Sequence, residues 1–143
     1  MPDSKLSPDS PGAWLNRARS DLTIARTSIP GVYLEDLCYH AQQTAEKALK
    51  SLLLHVVGDF PYVHDLAVLV SRLQAASQAI PPQVQDAVRL TRYAVAGRYP
   101  GFDEPVTAEE WREACQSAED VLRWVEGELA RESGPDTVGA EQE

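Results

Sequence analysis

Cysteine is scarce in this chain of 143 residues: Cys38 and Cys115 are its whole complement. Two thiols without C-x-x-C spacing exclude a disulfide scaffold and a cysteine zinc cluster. Basic side chains are also in short supply, 13 Lys and Arg against 22 Asp and Glu, for a formal net charge of −9. The bulk field therefore opposes nonspecific duplex binding, which phosphate neutralisation drives. No apolar run approaches the roughly 18 residues that signal a membrane-spanning helix. Residues 1–11 carry Pro, Asp and Ser where a signal peptide would carry a basic head and an apolar stretch. The expectation is a cytoplasmic protein with no leader and no membrane contact. G-x-G-x-x-G, the Walker pattern and G-x-S-x-G are all missing, which removes the commonest signatures of dinucleotide binding, P-loop chemistry and serine hydrolysis. Sustained apolar/polar alternation is missing too, which argues against a sheet.

What is there describes one globular domain: 43% hydrophobic and 24% charged residues. A chain of this length buries roughly two-thirds of its unfolded surface, so neither disulfide nor structural metal is needed. The charge is uneven. Residues 1–100 hold 10 basic and 9 acidic side chains, whereas residues 101–143 hold 3 and 13. The acidity belongs to the last third, whose helix and tail are expected to face solvent or a basic partner and not nucleic acid.

Five segments have helical periodicity. The first runs from Pro11 to about Ser28, with Ser10 as N-cap and Trp14, Ala18, Leu22, Ala25 and Ile29 on one stripe. The second, about Tyr33 to Val57, has a broad apolar face from Leu34 to Val56; its other face carries His40, Gln43, Lys47 and Lys50. Leu54 among these polar residues marks a packing surface for a second subunit. The third starts at Asp65 with Leu66, Leu69, Val70 and Leu73 inward. The fourth opens at Pro81-Pro82, with Val84, Ala87, Val88, Thr91 and Val95 inward, and breaks at Gly97 to Gly101. The fifth opens at Thr107 with a capping box to Glu110 and carries a stripe from Trp111 to Leu129. Short connections between amphipathic helices predict an all-α fold, an up-and-down antiparallel bundle of four main helices plus one shorter helix. The expected layout is a flexible lead over 1–10, the helical domain over 11–132 and a disordered acidic tail over 133–143.

Candidate chemistry is limited. Cys38 and Cys115 lie on apolar stripes and read as core. His64-Asp65 resembles the metal doublet of helical phosphohydrolases, which His40 and Asp86 or Asp120 would complete; the simpler reading makes Asp65 a helix cap, and no metal or other cofactor is expected. His40, Gln43, Lys47 and Lys50 are spaced 3, 4 and 3 apart, so they share one side of a helix. Imidazole exchanges protons near neutrality and ammonium holds phosphate as a point charge, but the same pattern also describes a solvated face. Arg89, Arg92 and Arg98 form a second basic group. Guanidinium takes phosphate bidentately and Tyr93 or Tyr99 can stack on a base; alternatively these arginines pair with carboxylates of the fifth helix.

The run Tyr39-His40-Ala41-Gln42-Gln43-Thr44-Ala45-Glu46-Lys47-Ala48-Leu49-Lys50 resembles the signature helix of the HEPN domain family. Trp14-Leu15-x-x-Ala18-x-x-Asp21-Leu22, His64-Asp65-Leu66-x-x-Leu69, Arg98-Tyr99-Pro100-Gly101 and the stretch Ala114 to Trp124 agree in order and spacing, so the likeness covers residues 12–130. It implies a helical bundle that commonly forms a homodimer, here along the second and fourth helices, and a link to nucleotides or RNA. It also implies work beside a small nucleotidyltransferase, often as a toxin–antitoxin pair. Many members are metal-independent ribonucleases with an Arg, four to six residues, then a His. Here the positions after Arg98 hold Asp103, Glu104 and Pro105, and no other Arg precedes a His at that spacing. The resemblance thus implies a binding module more than an enzyme. It would present His40, Gln43, Lys47, Arg92, Arg98 and Tyr99 to a nucleotide, an RNA phosphate or a protein partner. The alternative is a ribonuclease toxin in which Arg98 works with a substitute base, His40 or His64.

Overall fold

A computed structural model describes residues 9–96 and 105–132. Within them the chain forms α1 (Pro11–Arg26), α2 (Leu34–Val56), α3 (Leu66–Ala75), α4 (Pro82–Asp86), a 3₁₀ segment (Ala87–Arg92), α5 (Tyr93–Ala96) and α6 (Ala108–Glu132), and no strand. The expected lead over residues 1–8, the tail over 133–143 and the break over 97–104, with Arg98 and Tyr99, lie outside the described residues.

Local chemistry sets the helix ends. Ser10 accepts the Ala13 N–H at 3.1 Å and Pro11 takes the first helical position of α1. Thr107 and Glu110 satisfy each other's amides reciprocally at 2.9 and 3.0 Å, which opens α6. Gly58, at φ 102°, receives the end of α2, with its N–H on the Leu53 carbonyl at 3.2 Å. The end of α3 is less comfortable. Ser77 adopts φ 71° while Gln78 N–H and Ser77 N–H bond back to Leu73 and Gln74, a Schellman turn built on a residue with a Cβ.

α1 runs antiparallel to α2, since Pro11 meets Ser51 and Asp21 meets His40 and Lys47. It is antiparallel to α6 as well, because Ala25 meets Trp111 and Arg19 meets Glu126. Ala18, Ala25, Ala41, Ala45, Ala48 and Ala118 are wholly buried, and such small side chains let the three long helices approach closely. Leu49, Leu52, Leu53, Leu66, Leu69, Leu73 and Leu122 fill the remaining core, each contributing about 1.5–3 kcal/mol of burial. Cys38 and Cys115 are both buried. Burial beside Cys115 pushes the Cys38 thiol up to about 12, so it is protonated and inert at neutral pH.

The fourth element departs from expectation. It is not one α-helix: a 3₁₀ segment interrupts it. The buried residues there are Val84, Ala87, Leu90, Tyr93 and Ala94, the first four one every three positions, while Val88 and Thr91 are only partly covered. A 3₁₀ helix eclipses i and i+3, so this burial pattern is the one its geometry requires. Tyr93 is consequently a core residue against Cys38 and is unavailable to stack on a base.

Candidate functional site

The polar side of α2 is not a solvated face. α1 covers one flank and the connection between α2 and α3 covers the other, and each cover meets a buried carboxylate.

On the α1 flank the carboxylate is Asp21, set in the apolar stripe between Ala18 and Leu22 and itself buried. Its Oδ1 meets His40 Nδ1 at 2.8 Å and its Oδ2 takes the Lys47 ammonium at 2.7 Å. His40 and Lys47 are two helical turns apart on the same side of α2, so a single carboxylate spans both. Both remain partly exposed. Tyr39 sits edge-on to the His40 ring at 5.4 Å between centroids.

On the other flank the carboxylate is Glu46, only 3% exposed. Lys50, 5% exposed, donates to its Oε2 at 2.8 Å. Gln42 and Gln43 donate to Oε1 at 3.0 and 3.2 Å, and His64 Nδ1 lies 3.1 Å from both oxygens. Burial alone would raise the Glu46 carboxyl, but Lys50, Gln42 and His64 outweigh it and hold the group below its ordinary value. Lys50 also lies over the Phe60 ring at 5.1 Å, and Phe60 meets Trp14 and Tyr62 edge-on. His64 is 71% exposed, so its ring reaches solvent while one nitrogen is tied to the interior.

Arg92 is placed elsewhere. It lies over Tyr93 at 5.3 Å and, with Arg89, lines a cleft of about 100 Å3 against Glu110 and Glu113 of α6. No direct ion pair joins these arginines to those carboxylates among the described residues. The lining of that cleft includes none of His40, Gln43, Lys47 or His64. Thus His40 and Lys47 come together, Gln43 and His64 come together on the neighbouring carboxylate, and Arg92 stands apart. Gln43 is buried and its amide serves Glu46 and Gln42, so it acts as an internal strut. Leu54 is half-buried.

The metal constellation does not assemble. Asp65 caps α3 through the Ala67 N–H at 3.0 Å, Asp86 lines the Arg89 cleft, and Asp120 accepts from Gln116. Among the described residues no three His, Cys, Asp or Glu side chains are grouped to hold a metal. Sequence reasoning also missed the two carboxylates that organise the site. The signal was present: Asp21 interrupts the stripe of α1, and Glu46 and Lys50 have the spacing of an i,i+4 ion pair.

An all-helical unit with two carboxylate-centred polar clusters on its most buried helix is the class this geometry defines. The HEPN domain family model matches residues 12–128, and the chain belongs to that family. It is similar to the crystal structure of TT1696 from Thermus thermophilus, with TM-score 0.71 and 30% identity over 85% of this chain and 99% of that one. It is also similar to the crystal structure of ST0689, an archaeal HEPN homologue, with TM-score 0.63 and 27% identity over 84% of this chain and 98% of the other. No functionally curated protein matches the chain significantly. No helix among the described residues is long and apolar enough to cross a membrane.

Proposed function

We propose that this chain is a binding module that presents the His40–Lys47 edge of α2 to the phosphate of a nucleotide or of RNA. The observation that carries the reading is the Asp21 bridge. One buried carboxylate holds an imidazole and an ammonium side by side at 2.8 and 2.7 Å while both stay within reach of solvent. Preorganised donors of this kind bind an incoming anion with little ordering cost. Arg98 and Tyr99 complete the binding set in this reading. The module works in the cytoplasm as a homodimer beside a small nucleotidyltransferase, in a toxin–antitoxin-type pair; family membership supports that context.

Titrating ATP, UTP and a short RNA into labelled protein while recording amide shifts tests the reading. Shifts at His40 and Lys47 that vanish in Lys47→Ala are expected. Shifts confined to other surfaces refute it.

A specific geometry favours a second reading, a metal-independent ribonuclease. His40 Nδ1 on Asp21 leaves Nε2 without a hydrogen bond among the described residues, the arrangement that orients a general base. Incubation with total RNA in EDTA separates the two readings. Cleavage lost in both His40→Ala and Arg98→Ala establishes the enzyme; intact RNA at high protein concentration leaves the binding module.

A further inference from the structure

α6 is the most acidic helix of the chain, yet its contact with α1 gathers arginines. Arg19 and Arg26 of α1 and Arg123 of α6 line a groove of about 460 Å3 whose floor includes Leu22 and Leu122. The volume is that of a pocket for a small organic ligand. The three arginine side chains are 48%, 45% and 58% exposed, so they are open to a ligand.

Their existing partners do not neutralise them. Arg19 reaches Glu126 at 2.8 Å, Arg26 pairs with Glu119, and Arg123 reaches Glu119 at 3.3 Å and Glu126 at 2.9 Å. Three positive charges therefore share two carboxylates. Each guanidinium also carries five N–H donors, more than these contacts use. Burial would raise the Glu126 carboxyl, but Arg19 and Arg123 outweigh it and keep it ionised at neutral pH. The net charge of −9 repels a long polyanion, but a small anion inside the groove feels mainly the nearby arginines, since salt screens beyond about 10 Å.

An adjoining hollow of about 300 Å3 shares Arg26 and is walled by Trp111 and Arg112. The Trp111 indole N–H is pinned to the Ala25 carbonyl at 2.7 Å, which fixes its ring. A cationic groove thus continues into a hollow with an aromatic wall. We propose that the α1–α6 groove is a site for a nucleoside di- or triphosphate. Its phosphates lie on Arg19, Arg26 and Arg123, and its base lies against Trp111. Planar guanidiniums suit phosphate through bidentate hydrogen bonds, and aromatic faces accept any base. This site does not rest on the reading of α2. At 3.6 residues per turn, Arg19 and Arg26 lie about 150° around α1 from Asp21. The expectation that this acidic helix faces solvent or a basic partner is set aside for this groove alone.

Calorimetric titration of ATP and of pyrophosphate at low salt tests the site, with thermal unfolding of each variant as the folding control. Arg19→Gln/Arg123→Gln is expected to weaken ATP binding about tenfold or more. Glu119→Gln, which removes a competing carboxylate, is expected to tighten it severalfold. Each variant cuts one α1–α6 ion pair, Arg19–Glu126 or Arg26–Glu119, and both cut Arg123–Glu119, so a merely structural network would give them the same sign. Arg72→Gln, which removes an arginine that lines neither the groove nor the hollow, should leave the ATP affinity unchanged, and pyrophosphate should bind more weakly than ATP. Equal effects of the Arg and Glu variants, or no ATP binding at millimolar concentration, overturn the proposal. A decauridylate that binds more tightly than ATP and is lost in the double arginine variant also overturns it, in favour of RNA.

Discussion

Glu46→Ala should be among the most damaging single changes in this protein, although it removes a charged residue from a helix. The carboxylate is 3% exposed and its ion-pair partner Lys50 is 5% exposed. Truncation leaves an ammonium in the interior against the Phe60 ring at 5.1 Å, with a cavity where the acid stood. Breaking a buried pair by removing one partner costs about 3–5 kcal/mol. The cation–π contact offsets at most about 2 kcal/mol of that. For a domain of this size the remaining loss, about 1–5 kcal/mol, corresponds to roughly 3–15 °C in Tm. Removing both charges, as Glu46→Met/Lys50→Met, should restore most of the loss, because two apolar side chains of similar length need no pairing. The pH dependence has a fixed sign. Lys50, Gln42 and His64 hold the Glu46 carboxyl below its ordinary value of 4.5, so its contribution is complete above that value and fades as pH falls through the folded value. Urea unfolding of wild type and Glu46→Gln between pH 7 and 3 should therefore show midpoints that differ at neutral pH and converge in acid. A Glu46→Ala loss below about 1 kcal/mol, or a double variant no better than the single, would falsify the account of the α2 interior.

Ser77→Gly should stabilise the domain by about 0.5–1 kcal/mol in urea unfolding, because glycine carries no Cβ penalty at φ 71°. Cys38 should resist alkylation at pH 8 in the folded protein and react only on unfolding, since burial holds its thiol at about 12; labelling at the native rate of a free thiol would contradict that burial. Thr107→Ala should cost about 1 kcal/mol through loss of the capping box, and an unchanged Tm would show that α6 is fixed by its stripe alone. Asp21→Asn should cost less than Glu46→Ala, about 1–2 kcal/mol, because His40 and Lys47 can turn to solvent; it should instead abolish the amide shifts expected at those residues on nucleotide addition.

The helices were legible wherever packing followed a period. Trp14, Ala18, Leu22 and Ala25 repeat at 3 and 4, the Thr107–Glu110 box announces α6, and Asp65 and Gly58 mark ends by their chemistry. The fourth element was not legible as it is, because Val84, Ala87, Leu90 and Tyr93 follow a period of three that a 3.6-residue template scatters onto Val88 and Thr91. The polar side of α2 misled for a different reason. An amphipathic pattern assigns each polar residue to water, and that holds only when no neighbour brings a complementary group. Gln43, Glu46 and Lys50 satisfy one another within two turns, so the pattern of a solvated face and that of an internal network are the same string of letters. His40 and Lys47 were found by spacing, but Asp21, which joins them, lies 19 and 26 residues away on another helix.

The two carboxylates invite a comparison of what each does. A buried ion pair is weak support for stability, since the desolvation of two charges consumes most of their attraction and an apolar pair of equal volume does as well. Glu46 and Lys50 therefore cannot be explained as a stabilising device alone. Glu46 also fixes His64, 71% exposed, and through Gln42 it ties the His64 carbonyl, so the connection between α2 and α3 is anchored at its last residue before the cap of α3. Asp21 does the same for His40 and Lys47 from α1. In both clusters an acid inside the bundle determines where a basic group stands at its surface. A hydrophobic replacement would keep the helices together and release the imidazoles. The physical content of these polar residues is thus placement, and substitutions that preserve packing but remove charge are the ones that distinguish placement from support.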